Sequence, residues 1–295
     1  MRPMSDALTD ALAGAMGTRV DSITSMAGGD LNDAYAATLA DGRRVFVKTS
    51  ARVLPGTYRA EADDLRWLAQ PDAIGVPEVL AIVDPEDAQE PGPRLLALEL
   101  IDPGRLDAGG EAQLGRGLAG MHRAGAPGFG AAHPIRFGTF VIDNDPLGDW
   151  PAFYAARRLE PVARAARDRG GLDARGAEAI GRVCERIEQL AGPPEPPARL
   201  HGDLWSGNVL ADARGRPYLI DPAAYGGHRE VDLAMLRMFG GPAEPCYDAY
   251  AEAHPLADGH EDRVGLWQLF PLLVHAALFG GGYGASAART AARYA

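Results

Sequence analysis

Behind Ser5, apolar side chains recur every four residues (Leu8, Leu12, Met16), which predicts a short amphipathic helix with a capped start. From Ser22 the period shortens. The stretch Ala27–Tyr35 predicts two strands joined by a glycine-containing turn, and Asp41-Gly42 marks a second hairpin. Arg44–Thr49 then reads as a strand with Val45 and Val47 on one side and Phe46 and Lys48 on the other. A helical period returns at Tyr58–Ala69, with Leu65 and Leu68 on one face. Pro77–Val83 and Arg94–Ile101 predict strands on either side of an acidic, proline-containing loop. Beyond this point the pattern is helical almost throughout: Glu111–Arg123, Pro151–Arg169, Asp173–Leu190, Tyr247–Ala253 and Asp258–Phe279, the last with Leu266, Phe270, Leu273 and Ala277 aligned. Arginines such as Arg157 and Arg158 are expected on solvated helix faces, and Asp63 and Asp64 as solvated helix charges. Strands first and helices afterwards predict an α+β chain, with a small β-rich lobe over residues 1–101 and a larger, mainly helical lobe over 102–295.

Composition narrows the partners. The 295 residues carry a net charge of −11 with no basic cluster, so neither a nucleic-acid nor an anionic-membrane partner is expected. Cys184 and Cys246 lie far apart and outside any C-x-x-C spacing, which points away from a disulfide framework or a zinc site. With no secretory leader pattern and no apolar run of spanning length, a cytoplasmic location is expected. Lys48 is the only lysine among 29 basic residues. A general preference for arginine explains the other 28, and leaves Lys48 as a site that needs a compact ammonium.

The chemistry is concentrated between Leu200 and Asp232. His201-Gly-Asp-Leu-Trp-Ser-Gly-Asn208 has the spacing H-x-D-x-x-x-x-N of a kinase catalytic loop, and Asp221 follows at the distance of a metal-binding Asp after a hairpin. In phosphoryl transfer each residue has a task. Asp203 would orient the acceptor hydroxyl and take its proton. Asn208 and Asp221 would hold Mg2+, which favours a few oxygen donors completed by phosphate and water. Lys48 would contact the ATP phosphates, with Glu61 as its ion-pair partner. Backbone groups of Gly28, Gly29 and Asn32 would approach the phosphates, and Glu99 and Ile101 would lie at the hinge near adenine. His201 is expected to support the loop through hydrogen bonds, and His122, on the Glu111–Arg123 helix, to be a structural or hydrogen-bonded histidine rather than a ligand. Asp232 fits either a helix cap or a brace for the catalytic loop, the brace being the better fit. Isolated Asp and Asn residues recur in ordinary turns; a joint match that includes an upstream strand lysine does not arise easily that way.

The residues between these points carry a resemblance. His201-Gly-Asp-Leu-Trp-Ser-Gly-Asn208, Asp221-Pro-Ala-Ala-Tyr-Gly-Gly-His-Arg-Glu-Val-Asp232, Phe239-Gly-Gly241 and Leu278-Phe-Gly-Gly-Gly-Tyr283 resemble the fructosamine kinase (ketosamine-3-kinase) family. That family lies within the protein-kinase-like, aminoglycoside phosphotransferase superfamily. The resemblance implies a bilobal protein-kinase-like fold, ATP and Mg2+, and phosphorylation of the 3-hydroxyl of fructosamines or ribulosamines, which promotes deglycation. It also implies a ketosamine or glycated amine as substrate, glycated protein side chains included, with Trp205, Tyr225 and His228 assigned to the acceptor pocket. The alternatives are an aminoglycoside- or choline-kinase-like enzyme, a catalytically silent nucleotide-binding scaffold, and a metal-dependent hydrolase that would leave Lys48 without a task.

Overall fold

A computed structural model of the chain describes residues 6–26, 32–85 and 93–295. Gly28 and Gly29 fall outside the described residues. The N-terminal part is a five-stranded antiparallel sheet in the order β1-β2-β3-β5-β4, built from β1 (Val20–Met26), β2 (Asp33–Leu39), β3 (Arg44–Thr49), β4 (Val79–Val83) and β5 (Leu95–Glu99). The alternation along β3 decides what lies on each face. Val45 and Val47 are fully buried and pack with Leu8 and Leu12 of helix α1 (Asp6–Met16). Phe46 faces the opposite side, packing with Tyr58, Ala62 and Leu65 of α2 (Thr57–Ala69). Lys48 has the parity of Phe46, so the pleat sends its ammonium toward α2.

The chain leaves β5 through a short connection and enters α3 (Ala108–Arg123), whose start is capped by Asp107 accepting from the Gly110 N–H at 2.8 Å. Next come a small hairpin, β6 (Ile135–Phe137) with β7 (Phe140–Ile142), and helix α4 (Trp150–Phe153). A π-helical turn, Tyr154–Leu159, continues α4 into α5 (Glu160–Asp168), and α6 (Ala174–Glu185) and α7 (Ile187–Leu190) follow. The segment from Ala198 to Gly227 contributes four short strands: β8 (Ala198–Leu200), β9 (Val209–Ala211), β10 (Pro217–Leu219) and β11 (Tyr225–Gly227). Helices α8 (Glu230–Leu236), α9 (Glu244–Ala253), α10 (His260–Phe279) and α11 (Tyr283–Ala291) complete the fold. Helices α3 and α9 pack closely because Gly115 has no side chain: a Cβ there would lie 1.9 Å from the Cys246 carbonyl oxygen.

The core of the helical part gathers around α10. Pro271 sits inside this helix and has no N–H to offer the Trp267 carbonyl. The buried Tyr154 hydroxyl approaches the opened turn instead, 2.9 Å from the Leu266 carbonyl oxygen and 3.2 Å from that of Trp267. Tyr154→Phe is therefore expected to destabilise the fold by about 1–3 kcal/mol, since it strands a buried acceptor without changing shape. Urea denaturation of the two proteins measures the difference, and equal midpoints would contradict this account.

Two charges expected in solvent are buried. The π-helical turn carries Arg158 inward to zero exposure, its guanidinium 4.0 Å from the Tyr225 ring centre and 4.6 Å from that of Phe153. It donates to the Asp143 carbonyl at 3.1 Å and to the Asn144 side chain. Asp64 is also buried. It accepts from the Ala224 N–H at 3.0 Å and pairs with His133 at 3.2 Å, tying α2 to the segment after Asp221.

Candidate active site

The antiparallel pairing of β8 with β11 sets Leu200 opposite Tyr225, so the residues after β8 and before β11 face each other. Ala223 N–H donates to the His201 carbonyl at 2.9 Å, and Ile220 N–H to the Asn208 carbonyl at 3.0 Å. These bonds place Asp203, Asn208 and Asp221 on one side of the crossing. Gly202 makes the approach possible: it has φ +82°, and a Cβ would lie 2.0 Å from the Ala223 carbonyl oxygen. Asp221 itself has φ +54°, a left-handed conformation uncommon for a residue with a side chain and typical of strained functional positions.

Lys48 crosses from the sheet to meet this group. Its ammonium lies 2.9 and 3.0 Å from the two Glu61 carboxylate oxygens and 2.7 Å from Asp221 Oδ1. Burial alone would lower its pKa, but the carboxylates of Glu61 and Asp221 outweigh that effect and hold it above the ordinary lysine value. Asp203 shows the opposite balance. Burial, followed by repulsion from Asp221, pushes its carboxyl up to about 7, against the hydrogen bond from Asn208. Asn208 donates through Nδ2 to the Asp203 carbonyl at 2.8 Å and to its carboxylate at 3.2 Å. With its amide nitrogen turned to Asp203, Asn208 keeps Oδ1 as its remaining coordinating atom.

The loop rests on Asp232. This buried carboxylate accepts from the His201 N–H at 2.7 Å, from the Gly202 N–H at 2.9 Å and from His122 Nε2 at 3.2 Å. His122 in turn meets the Tyr250 hydroxyl at 2.8 Å, and His201 Nε2 donates to the Ile220 carbonyl at 2.9 Å. Asn32 borders the same cleft, its side-chain oxygen accepting from the Tyr58 hydroxyl at 2.9 Å. Glu99 ends β5 with its carboxylate 3.3 Å from the Glu78 N–H, and Ile101 follows, partly buried, at the start of the connection to α3.

A cavity of about 490 Å3 opens beside Asp203, Asn208 and Asp221. Trp205 lines it, 40% exposed. Tyr225 and His228 do not. Tyr225 has no exposure and stacks on Phe153 at 5.8 Å, while His228 is 3% exposed, stacks on Trp267 at 5.4 Å, and is held neutral-leaning by burial. Tyr225 lies on β11, which pairs with β8, and His228 follows directly after that strand; both rings are buried in the core, so the assignment of these two to the acceptor pocket is corrected. Asp64 was missed, although it stands three residues from Glu61 and thus on the same face of α2. The far wall of the cavity, from α10 and the start of α11, was also missed.

A β-sheet lysine held by a helix glutamate, set over a loop Asp, an Asn and a second Asp, defines a phosphotransferase of the protein-kinase-like fold. Streptococcus pneumoniae choline kinase shares that fold, with a TM-score of 0.61 at 15% identity over 97% of this chain and 96% of that one. Within this class the chain belongs to the fructosamine kinase family, whose model matches residues 4–294. It is 35% identical over 277 residues to the chloroplastic protein-ribulosamine 3-kinase of Arabidopsis thaliana, covering 92% of this chain and 81% of the relative. A candidate fructosamine-3-kinase from Thermobifida fusca superposes with a TM-score of 0.89 at 40% identity, covering 98% of this chain and all of that one. Among the described residues no helix is long and apolar enough to cross a membrane.

Proposed function

We propose that this chain transfers the γ-phosphoryl group of ATP to the 3-hydroxyl of a ketosamine, a sugar joined to an amine, and so prepares the adduct for loss. The observation that carries the reading is the convergence of Lys48 and Asp221 at 2.7 Å, beside Asp203 and at the end of a cavity large enough for a sugar. Membership of the fructosamine kinase family and the ribulosamine 3-kinase relative support the acceptor class.

In this reading Asp203 aligns the acceptor hydroxyl and receives its proton, a role suited to a carboxyl whose pKa is raised to about 7. Lys48, steadied by Glu61, is offered to the phosphates, where a fixed cation neutralises charge that the loose transition state spreads over its oxygens. Asn32, just before β2, borders the cleft where the phosphates would lie, and Glu99 and Ile101 border the adenine. Asn208 Oδ1 and the Asp221 carboxylate are hard oxygen donors and fit Mg2+; Asp221 is 43% exposed on its side chain and so open to an ion. Bound there, the metal would supply charge neutralisation at the phosphates. His201 and Asp232 keep the loop in place without touching the reacting atoms. The same site argues against a polycationic aminoglycoside as acceptor. Asp203 and Asp221 are the only carboxylates lining the large cavity among the described residues, and both have other tasks.

The test is ADP release with Mg2+ and ATP against ribulosamines, fructosamines, choline and an aminoglycoside. Turnover with a ketosamine is expected. Turnover of choline or the aminoglycoside with silence toward every ketosamine would overturn the reading.

A further inference from the structure

The wall of the large cavity facing away from Asp203 is aromatic. Helix α10 presents Pro271, His275 and Phe279 at four-residue spacing, and Phe239 and Tyr283 flank them. The His275 ring lies 5.3 Å from Phe239, 5.6 Å from Phe279 and 4.9 Å from Tyr283, and Trp205 stands edge-on to Phe239 at 6.3 Å. His275 is fixed within this group, since its Nδ1 must donate to the Pro271 carbonyl at 2.8 Å. Folding does not require such rings to stay exposed. Yet Phe279 is 55% exposed, Trp205 40% and Phe239 36%, so three of the five exposed large apolar side chains among the described residues border one cavity. An apolar patch concentrated at the mouth of a polar catalytic cleft marks a binding surface for a ligand that spans both.

We propose that this aromatic wall is a specificity pocket for the amine half of the ketosamine, selecting adducts whose amine bears an aromatic or branched apolar substituent. The inference rests on the ketosamine reading above. With the reacting sugar hydroxyl at Asp203, the C1–N bond a few atoms away must point along the cavity toward Phe239, His275 and Phe279. Two features of the amine match what it meets there. A ketosamine nitrogen is a secondary amine, protonated near neutral pH, and ring faces attract a cation. Among the described residues no lysine or arginine lines the cavity to repel it, and no carboxylate beyond Asp203 and Asp221 competes for it. The substituent beyond the nitrogen then reaches the exposed rings, where an aryl or alkyl group removes apolar surface from water and a hydroxylated one does not.

The experiment compares two adducts of the same pentulose, one made from phenylethylamine and one from ethanolamine, by kcat/KM for ADP release. The wild-type chain is expected to favour the phenylethylamine adduct by about tenfold or more. Phe279→Ala and Phe239→Ala are each expected to bring that ratio toward one, and thermal melts confirm that both variants fold. A wild-type ratio near one, or a ratio that neither variant moves, would overturn the inference and leave the ketosamine reading standing. Turnover of neither adduct beside turnover of a fructosamine would overturn the inference alone, and silence toward every ketosamine would remove the ketosamine reading and the inference with it.

Discussion

Asp203→Asn is expected to lower kcat by about 10²–10⁴-fold while leaving the affinity for ATP little changed, because the variant keeps the shape of the loop and loses the proton acceptor. A second effect of the same change separates chemistry from folding. The carboxyl has a folded-state pKa near 7 against an ordinary value of 3.8, so between these values the unfolded chain binds fewer protons than the folded one. Stability from this group therefore falls as pH rises through about 7. Without ATP or Mg2+, the Asn variant is expected to melt higher than the wild type, with a wider gap at pH 8 than at pH 6. Thermal melts at the two values, beside steady-state turnover, check both halves. Full activity would remove Asp203 as the acceptor of the proton; a melting gap that narrows toward pH 8 would remove the electrostatic account.

The second large effect is expected at Asp232, which touches nothing that reacts. Asp232→Ala strands the N–H groups of His201 and Gly202 and the Nε2–H of His122 in a buried place. At roughly 1–3 kcal/mol for each orphaned donor, and with incomplete additivity, the loss is on the order of 3 kcal/mol or more. Turnover should fall as well, because Asp203 follows directly on the released peptide groups. Asp232→Asn keeps one acceptor oxygen and is expected to lie between. An Ala variant as stable as the wild type would show that the loop is held by the β8–β11 pairing alone.

The alternation along β3 was enough to put Lys48 on the side of Phe46, which α2 covers, and the small and apolar neighbours of Glu61 (Ala60, Ala62, Leu65) singled it out as the partner. The catalytic loop was legible for a similar reason: its spacing is local, and one hairpin closes it. Asp64 was harder to read, since Asp63 beside it is the same residue type and only helix phase relative to Glu61 separates the buried one from the exposed one. Arg158 escaped because a π-helical turn adds a residue and shifts the face by about a quarter turn relative to a regular helix. Tyr225 and His228 belong to the string that carries the resemblance, but which way the three-residue strand turns Tyr225, and delivers His228 just beyond it, depends on the partner it meets, here β8. The aromatic wall of α10 was hidden by the stronger stripe of Leu266, Phe270, Leu273 and Ala277, which packs the core and drew attention from the neighbouring stripe that does not.

The single lysine has a further consequence for a protein that works among reactive sugars. Non-enzymatic glycation begins when a neutral amine attacks a sugar carbonyl, and accessible lysine side chains are ordinary targets. Lys48 is 6% exposed, and its carboxylate partners keep the nitrogen protonated and its lone pair unavailable. No other lysine exists in the 295 residues. The lysine chemistry that damages other proteins thus finds almost no foothold on this one: the residue we propose for phosphate is retained in a form that sugars cannot readily modify, and arginine carries the rest of the positive charge.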